Sequence, residues 1–455
     1  MQMLSPTTFG LLFVGLLPVI MIGATRPAMY LIGDFHYDPV YGGEKAVGDC
    51  TDSSAPAYGK KGCDTPDLLL NSAVEDLYAT AALDGDGIFL ITGDILRHKM
   101  LYFENASSND PKIRYAPDFV VLKKVAARLS YLMQLYEKKY NATRRIKILS
   151  HHAATVEGNE DCIPHYHFDP TTNSSKHPSL EIISGLLVEH GLMEAHEAAQ
   201  WRRCGFYSSV IGGTNLRVLM INTVIYSVES RPAANVSDVD PCGQFAWIAN
   251  EVSNARAQNQ RVVLVGHIIP DATKWVPQYL ATFRRAVKSY SDVMVFQVFG
   301  HTHMFTFLTL SPETAPLIID VPGITPRDGN VPAYLKLTFT DQIAPSRIVF
   351  ANSEWTVDQI HSRFLDITQS SPSWQWGKTF PKDFPDMQSP LNTPNLYNYA
   401  KALNAAKHDS TTWLEFEQYY FGGVTQSRMS SKEKREVTCK MFCQDDSAYE
   451  LCRNV

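Results

Sequence analysis

Four times in this chain an apolar run ends in glycine followed at once by an acid or a histidine. Ile88-Phe-Leu-Ile-Thr-Gly-Asp94, Met29-Tyr-Leu-Ile-Gly-Asp34, Arg261-Val-Val-Leu-Val-Gly-His267 and Val293-Met-Val-Phe-Gln-Val-Phe-Gly-His301 share the pattern, with His36 and His303 two residues further on. Short apolar runs without alternation read as strands buried on both faces, the kind that α/β layers contain. Glycine lets backbones approach closely, and side chains at the ends of neighbouring strands can then converge on one spot. One such end is an ordinary turn. Four, all bearing oxygen or imidazole nitrogen donors, read as a metal centre of two ions sharing a carboxylate.

The segments between these ends read as helices. Thr65 as cap and Pro66 in the first turn open one through about Leu83, with Leu69, Ala73, Leu77 and Ala81 on a single face. A second is expected from about Pro117 to Tyr140, followed by a strand beginning at Ile146, which completes a strand-helix-strand rhythm. Helices are expected again over roughly Pro178 to Gln200, Phe245 to Ala257, Trp275 to Tyr290 and Leu396 to Ala406, with a strand at Arg217 to Thr223. The runs at Leu317, Ala333 and Arg347 read as antiparallel strands.

With 455 residues, 45% of them apolar, the chain has room for one large α/β domain and an appendage. A net charge of -6 argues against a nucleic-acid partner. The apolar run from Phe9 to Ile22 has the length of a signal peptide and falls short of the roughly 20 residues a membrane span needs. Cleavage near Ala24 is expected, with no transmembrane anchor, so that residues 1–24 form the signal, 25–355 the catalytic domain and 356–455 a helical, disulfide-containing subdomain. Four Asn-x-Ser/Thr sequons, at Asn105, Asn141, Asn173 and Asn235, predict N-linked glycans. Eight cysteines in an oxidising compartment read as disulfides, Cys50 with Cys63 among them, and the absence of a CxxC pair argues against a thiolate zinc site. These readings place the protein outside the cell or in a lysosomal or vacuolar lumen.

Taken in order, Gly-Asp34-x-His36, Gly-Asp94 with His98 four residues on, Gly-His267 and Gly-His301-x-His303 resemble the motifs of the calcineurin-like metallophosphoesterases. Thr92-Gly-Asp-x-x-x-His98, Asn222-Thr, Gly266-His-x-x-Pro270, Phe299-Gly-His-Thr-His303 and Gly323-Ile-Thr-Pro326 resemble the acid sphingomyelinase-like phosphodiesterase branch, over roughly residues 28 to 350. The resemblance implies an α/β fold with a two-sheet β-sandwich flanked by helices (α/β/β/α) and two zinc ions at the strand ends. Carried over, one ion takes Asp34, His36 and His303 and the other His267 and His301. Asp94 bridges them, and Asn159 completes the second site. A paired-metal site of this kind generates hydroxide near neutral pH and clamps an in-line phosphoryl displacement. His98 is then the catalytic residue, donating a hydrogen bond to the phosphate or a proton to the leaving alkoxide.

Two departures stand out. The Gly-Asn-His-Asp/Glu motif is altered: Gly158-Asn-Glu-Asp161 puts Glu160 in place of the histidine, while the alternative, Ser150-His-His-Ala153, puts His151 in place of the asparagine. Phe305 stands where an aspartate is often found two residues after the last histidine. No saposin-like segment is seen before the first strand, which favours the shorter members, resembling enzymes of soluble phosphodiesters and nucleotides, over a dedicated lipid hydrolase. The expected activity is a secreted zinc phosphodiesterase acting on a small-molecule or lipid phosphodiester, sphingomyelin included. A catalytically weakened binding glycoprotein and a phosphomonoesterase are the alternatives.

Overall fold

A computed structural model describes residues 27–84, 87–99, 107–108, 111–114, 116–140, 148–150, 160–162, 165–171, 178–212, 214–310, 316–340, 355–384, 386–424, 428–443 and 445–454. The expected signal segment lies outside these residues, as do Asn105, Asn141, Asn173, His151, Asn159 and the run at Arg347.

The apolar runs are strands with no exposed face. β1 (Ala28–Ile32) and β2 (Gly87–Ile91), buried at every position, pair in parallel, and α1 (Asp67–Asp84) packs on both. After α2 (Pro111–Arg114) and α3 (Ala116–Tyr140), β3 (Ile148–Ser150) adds to β2 in parallel. The stretch expected as one helix from Pro178 is two, α4 (Pro178–Glu189) and α5 (Ala195–Cys204). Gly191, at φ 68, lies in the gap between them, a left-handed backbone that helical residues do not adopt.

A second sheet follows. β4 (Tyr207–Val210), β5 (Leu216–Met220), α6 (Gln244–Ala257), β6 (Arg261–Ile268), α7 (Pro277–Lys288), β7 (Met294–Gly300), β8 (Thr306–Leu308) and β9 (Leu317–Asp320) give the order β4-β5-β6-β7-β9-β8. The neighbours from β5 to β9 are parallel and the two edge strands antiparallel, so Leu317–Asp320, expected as antiparallel, is parallel to β7. β10 (Ala333–Phe339), β11 (Val357–Leu365) and β12 (Trp374–Phe380) then return to the first sheet, whose order is β12-β11-β10-β1-β2-β3. With α1 on one sheet and α6 on the other, the layers are helix, sheet, sheet, helix. The chain ends in α8 (Thr393–Ala405), α9 (Thr411–Tyr420), α10 (Ser431–Phe442) and α11 (Asp446–Arg453).

The first sheet runs through the division expected between 355 and 356. Residues 357–380 are strands of the core sheet rather than part of a helical appendage, and the helices begin at Thr393. The aromatic-rich texture there belongs to an edge hairpin. Disulfides join Cys50 to Cys63, as expected, Cys204 to Cys242 and Cys439 to Cys452.

Candidate metal centre

The two sheets meet where β1, β2, β6 and β7 end. Thr92 N–H donates to the Ile32 carbonyl and Asp34 N–H to the Gly93 carbonyl, each at 2.9 Å, which fixes the first pair of ends side by side. The Asp34 carboxylate accepts the N–H of His301 at 3.0 Å and ties the second sheet to the first. Glycine is needed where these ends cross. A Cβ on Gly33 would stand 1.8 Å from Thr92 Oγ1, and one on Gly300 would stand 2.7 Å from Asp34 Oδ2.

Five of the nine described non-glycine residues with positive φ are Asp34, His36, Asp94, His301 and His303. Backbone in this region is costly and persists where the surroundings enforce it, chiefly at functional sites. Here it turns five donor-bearing side chains inward. The donor atoms of Asp34, His36 and Asp94 lie within 4.8 Å of one another, and so do those of Asp94, His267 and His301, which leaves Asp94 common to both groups. His36 Nε2 lies 3.2 Å and His267 Nε2 3.4 Å from Asp94 Oδ2. His303 Nε2 lies 3.1 Å from His36 Nε2 and 3.6 Å from Asp34 Oδ1.

The outer nitrogens are spoken for. His36 Nδ1 contacts the Leu96 carbonyl at 3.0 Å, His267 Nδ1 the Thr92 carbonyl at 2.9 Å, and His303 Nδ1 the Asp328 carboxylate at 3.0 Å. A carbonyl at Nδ1 requires the proton there and leaves Nε2 with its lone pair toward the cluster, as metal-binding imidazoles need. Burial, then the neighbouring imidazole of His98, holds His36 well below the ordinary histidine range, so it stays neutral. Burial also works against charge on His267, but the Asp94 carboxylate outweighs it and pushes His267 up to about 9, so a cation taking Nε2 would displace a proton there. Two buried carboxylates among four inward imidazoles are a donor set that suits a divalent cation such as zinc.

His98 stands at the edge of the cluster, its donor atom within 4.8 Å of those of His36 and His303. Its ring stacks on His36 with centroids 3.9 Å apart, its Nδ1 lies 2.8 Å from Asp64 Oδ1, and its own N–H donates to Asp64 Oδ2 at 2.8 Å. Glu160 also reaches the centre: its N–H donates to Asp94 Oδ1 at 3.1 Å and its Oε1 lies 4.0 Å from His98 Nε2. Asp161 accepts the N–H groups of Ile95 and Leu96, both at 2.9 Å, and clamps the turn that follows Asp94. Phe305, by contrast, points away. Its ring is fully buried against Tyr419, at 4.5 Å and 87°, so the departure at that position is a packing choice.

The structure thus gathers Asp34, His36, Asp94, His98, His267, His301 and His303, while Asn159 lies outside the described residues. Sequence reasoning passed over Asp64, Asp328 and His165. Asp64 follows the bridged Cys63, and Asp328 follows Thr325-Pro326 by two residues, but no spacing rule links either to a histidine far along the chain.

No family model matches the chain. It is 23% identical over 273 residues to the mouse cyclic GMP-AMP phosphodiesterase SMPDL3A, covering 55% of this chain and 58% of that protein. It is 24% identical over 454 residues to the human acid sphingomyelinase-like phosphodiesterase 3b, covering 92% and 89%. The chain spans about half the length of the first relatives it matches, 58% of the mouse protein and 45% of the sphingomyelinase phosphodiesterase C of Dictyostelium discoideum. Among solved structures, a dimetal phosphatase from Danio rerio aligns at 12% identity with TM-score 0.38, covering 74% of this chain and 95% of that one.

Proposed function

We propose, on the premise that this chain is a relative of the acid sphingomyelinase-like phosphodiesterases within the calcineurin-like metallophosphoesterases, that it is a secreted or lumenal zinc-dependent phosphodiesterase. The observation that carries the reading is the convergence of Asp34, His36, Asp94, His267 and His301 on groups no wider than 4.8 Å that share Asp94. Asp34, His36 and His303 would hold one cation, His267 and His301 the other, with Asp94 between them and Asn159 completing the second set. A cation pair held there supplies an activated water and offsets the charge that develops on the phosphoryl oxygens.

The chain's own residues do the rest. Asp64 accepts the Nδ1 proton of His98 and so directs Nε2 into the cleft, where the doubly protonated ring donates a hydrogen bond to a phosphoryl oxygen or a proton to the departing alkoxide. Asp328 aims His303 in the same way. The substrate class is a phosphodiester or nucleotide-type ester, in keeping with relatives named for cyclic GMP-AMP and for sphingomyelin. Three disulfides support an oxidising compartment. No described helix is long and apolar enough to cross a membrane.

Zinc analysis beside hydrolysis of bis-p-nitrophenyl phosphate tests the proposal, and a panel of sphingomyelin, CDP-choline and ATP in acidic and neutral buffer assigns the leaving group. A folded, zinc-loaded sample that cleaves none of these rejects it. One observation favours a second reading, a binding glycoprotein without turnover: a carboxyl, Glu160 Oε1, stands 4.0 Å from His98 Nε2 where the resemblance expects an imidazole. Tight ligand binding without release of either alcohol would single out that reading.

A further inference from the structure

Glu160 stands between two imidazoles. Its Oε1 lies 4.0 Å from His98 Nε2 and 3.2 Å from Nε2 of His165, a residue no motif singled out. The segment bearing this contact is fastened on both sides. Before it, Glu160 N–H is held on Asp94 and the Asp161 carboxylate on the Ile95 and Leu96 amides. After it, the Tyr166 carbonyl accepts Arg231 N–H and the Arg231 carbonyl accepts Phe168 N–H, each at 2.8 Å. The His165 ring lies against Tyr166, centroids 4.6 Å apart. The His165 side chain keeps 33% of its surface exposed, whereas Glu160 keeps 6%, so a ligand can reach the ring while the carboxylate gripping it stays covered.

We propose that His165 is a second catalytic imidazole, hydrogen-bonding the phosphoryl group opposite His98, and that Glu160 is the positioning residue that holds its ring. This rests on the phosphoesterase reading and deepens it. A lone carboxylate in the cleft would repel the substrate, but one proton shared between Glu160 Oε1 and His165 Nε2 offsets that charge and leaves the Nδ1–H of the ring to donate to a phosphoryl oxygen. The imidazole expected at position 160 is then supplied from position 165.

The test uses the full zinc-loaded chain, titrated with inorganic phosphate by calorimetry and assayed on bis-p-nitrophenyl phosphate. His165→Ala is expected to weaken phosphate binding about tenfold and to lower kcat about 10²-fold with zinc content unchanged. Glu160→Gln is expected to lower kcat with KM little altered, and to cost much less once His165 is already alanine. The double variant Glu160→His with His165→Ala should regain a large part of both losses. His165→Gln, close in size and still a donor, should fall between, which guards against a fold defect in the alanine variant. Unchanged phosphate binding in His165→Ala, absence of phosphate binding by the wild type, or equal cost of Glu160→Gln with and without His165 overturns the inference. A wild type that binds phosphate with this variant pattern yet hydrolyses no ester keeps it and removes the phosphodiesterase reading instead.

Discussion

Asp64 is fully buried, yet it never reaches the donor cluster; it acts by taking both the N–H and the Nδ1 of His98. His98→Ala is therefore expected to lower kcat by about 10²- to 10⁴-fold. Asp64→Asn, which leaves the ring in place but loosens its aim, should cost about 10- to 100-fold. Zinc content should stay at the wild-type value in both, and its loss would mean that His98 is a ligand. Phe305 makes the opposite case. Phe305→Asp puts the often-expected acid back but buries it among Tyr419, Phe380 and Phe416, so denaturant unfolding should show a loss of about 3 kcal/mol or more and assays no gain in rate. Asp34, Asp94, His267 and His301 were legible in the sequence because each follows a glycine at the end of an apolar run, and His36 and His303 because they lie two residues further on. The residues that aim the histidines were not: Asp64 and Asp328 sit in loops, and only the folded chain brings them to His98 and His303, as it brings His165 to Glu160.

Among the elements, the critical contact is the parallel pair β1 and β2, whose last residues carry Asp34 and Asp94 into the cluster. Gly33 and Thr92 touch across this pair, with no room for even a methyl group. Gly33→Ala must push the two ends apart, costing about 1–3 kcal/mol by overpacking and separating the carboxylates from the imidazoles. Calorimetric zinc titration of this variant should show weaker binding, whereas an equally destabilising change remote from the site should leave zinc affinity intact. β1, β2, β5, β6, β7, β9 and β10 were readable from apolar runs, since burial on both faces leaves no other kind of residue there, whereas β11 and β12, polar and only partly buried, were not. Strand direction was less so. β9 was expected to be antiparallel; it is so to β8 but parallel to β7, because direction depends on how the connection crosses the sheet and Leu317-Ile-Ile-Asp320 is equally apolar read either way.

The molecule as a whole does not divide where its sequence changes texture. β10, β11 and β12 form a continuous antiparallel half-sheet on β1, so a chain stopped at residue 355 would leave β10 with an unpaired edge beside the strand that carries Asp34. The terminal helices are bound in as well. Phe305 N–H donates to the Tyr420 carbonyl at 2.8 Å, Val331 N–H to the Phe421 carbonyl at 2.8 Å, and Thr309 N–H to the Met441 carbonyl at 2.9 Å. Around them Phe305, Phe307, Phe380, Phe384, Tyr399 and Phe416 form one aromatic cluster drawn from both sheets and from α8 and α9. Removing residues 393–455 would strip apolar cover from that cluster and leave three backbone donors without their acceptors, each costing about 1–3 kcal/mol where water cannot replace the partner. Since domains this size hold about 5–15 kcal/mol in reserve, truncation after residue 355 or after residue 392 should give insoluble or unfolded protein with no bound zinc. Far-ultraviolet circular dichroism and zinc content of the truncated chains would check this. A soluble 27–355 fragment that binds two zinc ions would show instead that the terminal hairpin and helices are a separable cover.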